Sequence, residues 1–98
     1  MGDGTWSRDE FLVTLDLYLN GDDVMEDESD PQVQNIANLI GRTPGSVALR
    51  LANYRHLDPS GTKGMENTGE ACQEIWEEFY NNKKELAEEA ARARDRFE

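Results

Sequence analysis

Asp30-Pro31-Gln32-Val33-Gln34-Asn35-Ile36-Ala37-Asn38-Leu39-Ile40-Gly41-Arg42-Thr43-Pro44-Gly45-Ser46-Val47-Ala48-Leu49-Arg50-Leu51-Ala52-Asn53-Tyr54 holds two helix starts and one helix stop. Each start pairs a capping side chain with a proline at the first helical position: Asp30-Pro31 and Thr43-Pro44. The cap oxygen accepts an orphan backbone N–H, and proline lacks the N–H that would be orphaned there. Between the two, Gly41 ends the first helix. Val33, Ile36, Ala37 and Ile40 recur at helical spacing, as do Val47, Ala48, Leu51 and Tyr54. Two short helices about the three-residue turn Gly41-Arg42-Thr43 have helix-turn-helix spacing.

The same grammar extends outward. Ser7-Arg8-Asp9-Glu10 is a capping box, and Trp6 and Phe11 stand at hydrophobic-staple spacing around it. Phe11, Leu12, Leu15, Tyr18 and Leu19 form the stripe of that helix, which stops at Asn20-Gly21. Val13 and Leu17 lie on its other side, so it is expected to pack on two faces. Residues 21–30 read as an acidic loop without the ligand alternation, sixth-position Gly and twelfth-position Glu of a calcium loop. Beyond Leu57-Asp58-Pro59, residues 58–69 read as a loop with Pro59, Gly61, Gly64 and Gly69. A further helix is expected from about Thr68 to Tyr80, with Ala71, Cys72, Ile75, Trp76 and Phe79 inward. Asn81-Asn82 interrupts it, and residues 83–97 carry a thin, Ala-rich stripe of Leu86, Ala90, Ala93 and Phe97. The expected fold is all-α: a small bundle of four to five helices with a helix-turn-helix-like pair. Residues 1–80 are expected to form the domain, and 81–98 a peripheral or linker helix.

Composition narrows the function. Ninety-eight residues support one core. No apolar run approaches membrane-spanning length and no signal-peptide core follows Met1. One cysteine and one histidine leave no material for an internal disulfide, a multi-Cys zinc site or a histidine-based active site. A cytoplasmic, non-enzymatic chain without cofactor or metal is therefore expected. Asp and Glu number 21 against 10 Lys and Arg, a net charge of −11. Residues 42–64 nevertheless carry Arg42, Arg50, Arg55 and Lys63 against Asp58 alone. The acid excess reads either as the solvated surface of a halophilic protein or as a functional acidic surface; the first is favoured. Carboxylate pairs such as Glu74 with Glu78 and Glu85 with Glu89 read as solvated helix faces. Cys72 reads as a buried thiol, and Trp6 and Trp76 as core anchors.

On a helical wheel of residues 44–56, Val47, Ala48, Leu51 and Tyr54 share one side, and Gly45, Ser46, Leu49, Asn53 and His56 the other, flanked by Arg50 and Arg55. A recognition helix needs that division, apolar toward the domain and small or hydrogen-bonding toward base edges. Asn53 has the chemistry to pair with adenine, and Arg50 to pair with guanine or a phosphate. Gly45 and Ser46 leave backbone N–H groups accessible at the helix start. Arg42 and Thr43 in the turn, with Arg55 and Lys63, are placed for phosphate. The plain alternative is a helix hairpin whose polar residues are only solvated.

Trp6, Glu10, Leu15-Asp16-Leu17-Tyr18, Ile40 through Tyr54, Leu57-Asp58-Pro59, Gly64 and Ile75-Trp76 form an ordered series. Over residues 6–80 this series resembles the N-terminal helical module that precedes an HNH nuclease domain in McrA-like, modification-dependent restriction endonucleases. The resemblance implies a module that binds double-stranded DNA, reads modified cytosine, and leaves cutting to a C-terminal nuclease domain. The chain departs from the full-length family in carrying no HNH motif. The rival expectation, from a different class, is an acidic protein-interaction or DNA-mimic module with a basic partner.

Overall fold

The computed structural model describes residues 6–21, 27–58 and 70–97, with the side chains of residues 70–72 left aside. Among the described residues there are five helices and no strand: α1 (Arg8–Asn20), α2 (Pro31–Ile40), α3 (Pro44–Leu57), α4 (Glu70–Phe79) and α5 (Lys83–Phe97). The loop expected over 58–69, Lys63 within it and the Cys72 side chain lie outside the described residues, apart from Asp58.

Local chemistry sets the helix ends. The Ser7 N–H donates to Glu10 Oε1 at 2.7 Å and the Glu10 N–H donates to Ser7 Oγ at 3.3 Å, a complete capping box. Trp6 and Phe11 close the staple with ring centroids 5.6 Å apart. Asp30 Oδ1 accepts from the N–H groups of Gln32 and Val33, and Thr43 Oγ1 accepts from that of Ser46. Gly41 ends α2 at φ 73°, in the left-handed region that glycine enters without steric cost.

α1 is the hub and touches all four other helices. Leu12, Val13, Leu15 and Leu17 are all buried, so both faces of the helix are packed, as Val13 and Leu17 had suggested. The expected core of Trp6, Phe11, Leu15, Ile36, Ile40, Val47, Leu51, Ile75, Trp76 and Phe79 is buried. Tyr18 is only partly buried, because its hydroxyl reaches out to donate to Asp58 Oδ2 at 3.0 Å. Tyr54 is fully buried and its hydroxyl is satisfied by the Phe11 carbonyl at 3.1 Å.

α5 corrects the expectation of a peripheral or linker helix. It lies antiparallel to α1: Asn20 Nδ2 donates to the Lys83 carbonyl at one end, and Arg96 forks onto Asp9 at 2.7 and 2.8 Å at the other. Leu86, Ala90 and Ala93 are fully buried. The Ala-rich stripe that looked too thin to anchor a helix lets the two backbones approach closely. No helix among the described residues is long and apolar enough to cross a membrane.

Candidate nucleic-acid interface

The turn between α2 and α3 begins at Gly41, whose left-handed backbone lets the Arg42 N–H donate to the Ala37 carbonyl at 2.9 Å. α3 then starts at Thr43 and presents its first turns outward. Thr43 and Gly45 are exposed, Ser46 is half-buried and Leu49 is 50% exposed. Arg55 is exposed and His56 half-buried, and both also interact with neighbouring residues. A Cβ added at Gly45 would lie 3.9 Å from Glu28 Oε1, so an acidic side chain stands beside the start of α3.

Two of the expected DNA-contacting side chains, Asn53 and Arg42, turn inward, and a third, Arg50, is partly covered. Asn53 is 3% exposed, and its Oδ1 is buried without a hydrogen-bond partner. Arg50 lies over aromatic rings, its Cζ 4.8 Å from the Trp6 centroid and 5.3 Å from that of Phe11. Its Nε is buried and donates to nothing. Arg42 forks inward onto Glu10, with Nε to Oε2 at 2.7 Å and Nη2 to Oε1 at 3.1 Å, and its Cζ sits 5.4 Å from the Trp6 centroid. The physical reason is that α3 touches α1, α2 and α4. A helix with neighbours on three sides buries an arc, and that arc runs past the Val47–Leu51–Tyr54 stripe to include Asn53 and much of Arg50. Lys63 lies outside the described residues.

The wheel also missed what these residues converge on. Glu10 was legible as a capping residue, but it is also the buried acid that fixes Arg42, with its side chain 9% exposed against 19% for Arg42. Burial pushes the Glu10 carboxyl up, yet hydrogen bonds from Arg42 and from the Ser7 backbone outweigh it and hold its pKa below the ordinary glutamate value. The signal was present: Glu10 shares the side of α1 that carries Val13, Thr14 and Leu17, where an acid requires a basic partner. Trp6 likewise serves as the surface on which Arg42 and Arg50 lie. A cleft of about 230 Å³ opens beside it, between Trp6, Arg8, Phe11, Glu74 and Ile75.

Glu74, Glu78 and Glu85 stand on exposed faces and Glu89 is half-buried; Glu78 pairs with Arg8 and Glu89 with Arg92. Trp76 is buried as an anchor and stacks on Tyr80, which is half exposed. No family model, curated protein or solved structure matches the chain.

Proposed function

We propose that this chain docks on double-stranded DNA through the start of α3, with Thr43, Gly45, Ser46, Leu49 and Arg55 as contacts and His56 at their edge. The observation that carries the reading is the uncovered first half of α3, where Thr43 and Gly45 are exposed and Leu49 half exposed behind a tight turn. The Gly45 backbone N–H and the positive end of a 14-residue helix attract phosphate there, the Ser46 N–H being taken by Thr43 Oγ1 and Pro44 having none. Leu49 adds an apolar contact of the kind that meets a C5-methyl group in the major groove, which thymine and 5-methylcytosine both carry. Asn53 and Arg42 drop out as contacts because their polar atoms are turned into the domain. The reading sets the chain in the cytoplasm, with cutting left to a separate nuclease domain.

A titration of labelled duplexes, unmodified and cytosine-methylated, at several salt concentrations tests this. Methylated duplex is expected to bind more tightly, and Leu49→Glu to abolish the difference. Failure of the wild-type chain to bind either duplex at low salt would remove the reading.

A second reading, an acidic module for a basic partner, is favoured by a specific observation. Arg8, Arg42, Arg92, Arg94 and Arg96 are each tied to a carboxylate, and Glu28 stands beside the start of α3. The two readings give opposite signs for Glu28→Gln: tighter DNA binding in the first, weaker binding of a basic peptide in the second.

A further inference from the structure

We infer that Arg50, laid across Trp6 and Phe11, is the seat of an oxyanion, and that the group it takes is a phosphate of the nucleic-acid backbone. The identity of that phosphate rests on the DNA reading, whereas the seat itself does not.

The first ground is the partner that Arg50 lacks. Arg8, Arg42, Arg92, Arg94 and Arg96 each hold a carboxylate. Among the described residues Arg50 has no hydrogen-bond or ion-pair partner, and its Nε–H is withdrawn from solvent with no acceptor. In a chain with 21 acids for 10 bases, a half-buried guanidinium with no carboxylate among the described residues stands apart from those five. The charge of Arg50 is answered by two ring faces alone, which offset only part of what a carboxylate would supply.

The second ground is orientation. The Arg50 Cζ lies 4.8 and 5.3 Å from two ring centroids, so the guanidinium is held in place before any ligand arrives. A planar guanidinium fixed in this way matches an oxyanion bidentately, which a mobile ammonium does not, and with the Nε closed to solvent the pair it offers is the two terminal Nη groups. The Trp6 ring is itself held, because Arg42 sits 5.4 Å from its centroid and Glu10 clamps Arg42. Trp6 and Glu10 are therefore positioning residues for Arg50.

The third ground is location. Ser46 stands one turn before Arg50 on the same side of α3, half-buried, and the exposed Thr43 caps the helix start. The seat thus adjoins the uncovered first turn of the helix. The orientation also decides between the two contacts the sequence left open for Arg50. A guanidinium held close against the domain suits backbone phosphate rather than a guanine edge deep in a groove.

The test is a nuclear magnetic resonance titration of the whole chain with inorganic phosphate, and separately with sulfate, at constant ionic strength. The Arg50 Nε–H and Trp6 indole N–H resonances are the reporters. A saturable shift of both is expected. Arg50→Lys keeps the charge but loses the planar fork, so its affinity should fall about tenfold. Arg92→Lys, at a paired arginine on α5, should change nothing. In the duplex arm, Arg50→Lys should weaken binding to about the same extent on every sequence, and Arg50→Ala should also reduce the salt slope by about one.

Saturable shifts with phosphate but no duplex binding would support the seat, assign it to free phosphate, and remove the DNA reading. Duplex binding that is indifferent to Arg50→Lys, with reporters unmoved by phosphate and sulfate, would overturn the seat and leave the DNA reading standing. Should Arg50→Lys fail to fold, the wild-type reporters decide alone, and their silence overturns the inference.

Discussion

Glu10 joins two chain segments 32 residues apart, capping α1 through Ser7 and clamping Arg42 in the α2–α3 turn. Its pKa is depressed, since hydrogen bonds from Arg42 and Ser7 outweigh the opposing effect of burial, and that of Asp9 is depressed by its hydrogen bonds from Arg96. A carboxylate depressed in the fold contributes stability that is complete above its unfolded pKa and is lost as pH falls through the folded value. The melting temperature should therefore decline as pH drops below about 4, the ordinary range for these groups. Glu10→Gln preserves the capping box, because glutamine also serves at that position, and removes the charge. It should flatten most of the acid limb, since the exposed Asp9–Arg96 pair is screened by solvent. An acid limb unchanged in Glu10→Gln would assign the acid sensitivity to other carboxylates. Asn53 shows where the wheel stopped being informative: it gives a direction from the helix axis but not how many helices stand around that axis. With its Oδ1 buried and unpartnered, Asn53→Leu should leave stability within about 1 kcal/mol of wild type. A loss beyond about 2 kcal/mol in chemical denaturation would show that the amide has a role its missing partner conceals.

The helix ends were legible in the sequence because caps are local. Ser7, Asp30, Thr43 and Gly41 act on backbone groups within a few residues, and each does so in the structure. Partner choice between helices is not local, and α5 is the case in point. Leu86, Ala90 and Ala93 look weak when counted by apolar area, yet small side chains allow the closest approach of one helix to another. α5 consequently covers α1 along its length, from Asn20 against Lys83 to Asp9 against Arg96. Burying Leu86 alone contributes roughly 2 kcal/mol, and exposing it would also uncover α1, whose Val13 and Thr14 are at 0% exposure. A chain ended at Asn82 should therefore lose cooperative unfolding rather than merely lose a tail. Circular dichroism during thermal melting checks this, and a sharp transition retained by the shortened chain would return α5 to the periphery.

Across the whole molecule, a net charge of −11 is spread over a chain whose Cα radius of gyration is 12.2 Å. Salt acts on it in two opposing ways. It weakens the solvent-accessible ion pairs Arg8–Glu78, Arg92–Glu89, Arg94–Asp16 and Arg96–Asp9, each of which contributes about 0–1 kcal/mol. It also relieves repulsion among acids that have no cation beside them, and repulsion acts over the full Debye length, about 10 Å at 0.1 M and 3 Å at 1 M. The Glu10–Arg42 pair is screened least because both side chains are largely covered. Repulsion among many charges therefore outweighs the loss of these surface pairs, and the melting temperature should rise from dilute buffer to about 1 M KCl. Potassium sulfate is a useful comparison, since sulfate also strengthens apolar burial and should raise the melting temperature further. A melting temperature that stayed flat or fell with KCl would mean that the acids are not mutually strained in the fold. The acid excess would then call for a partner of opposite charge, and the acidic-module reading would take precedence over DNA docking.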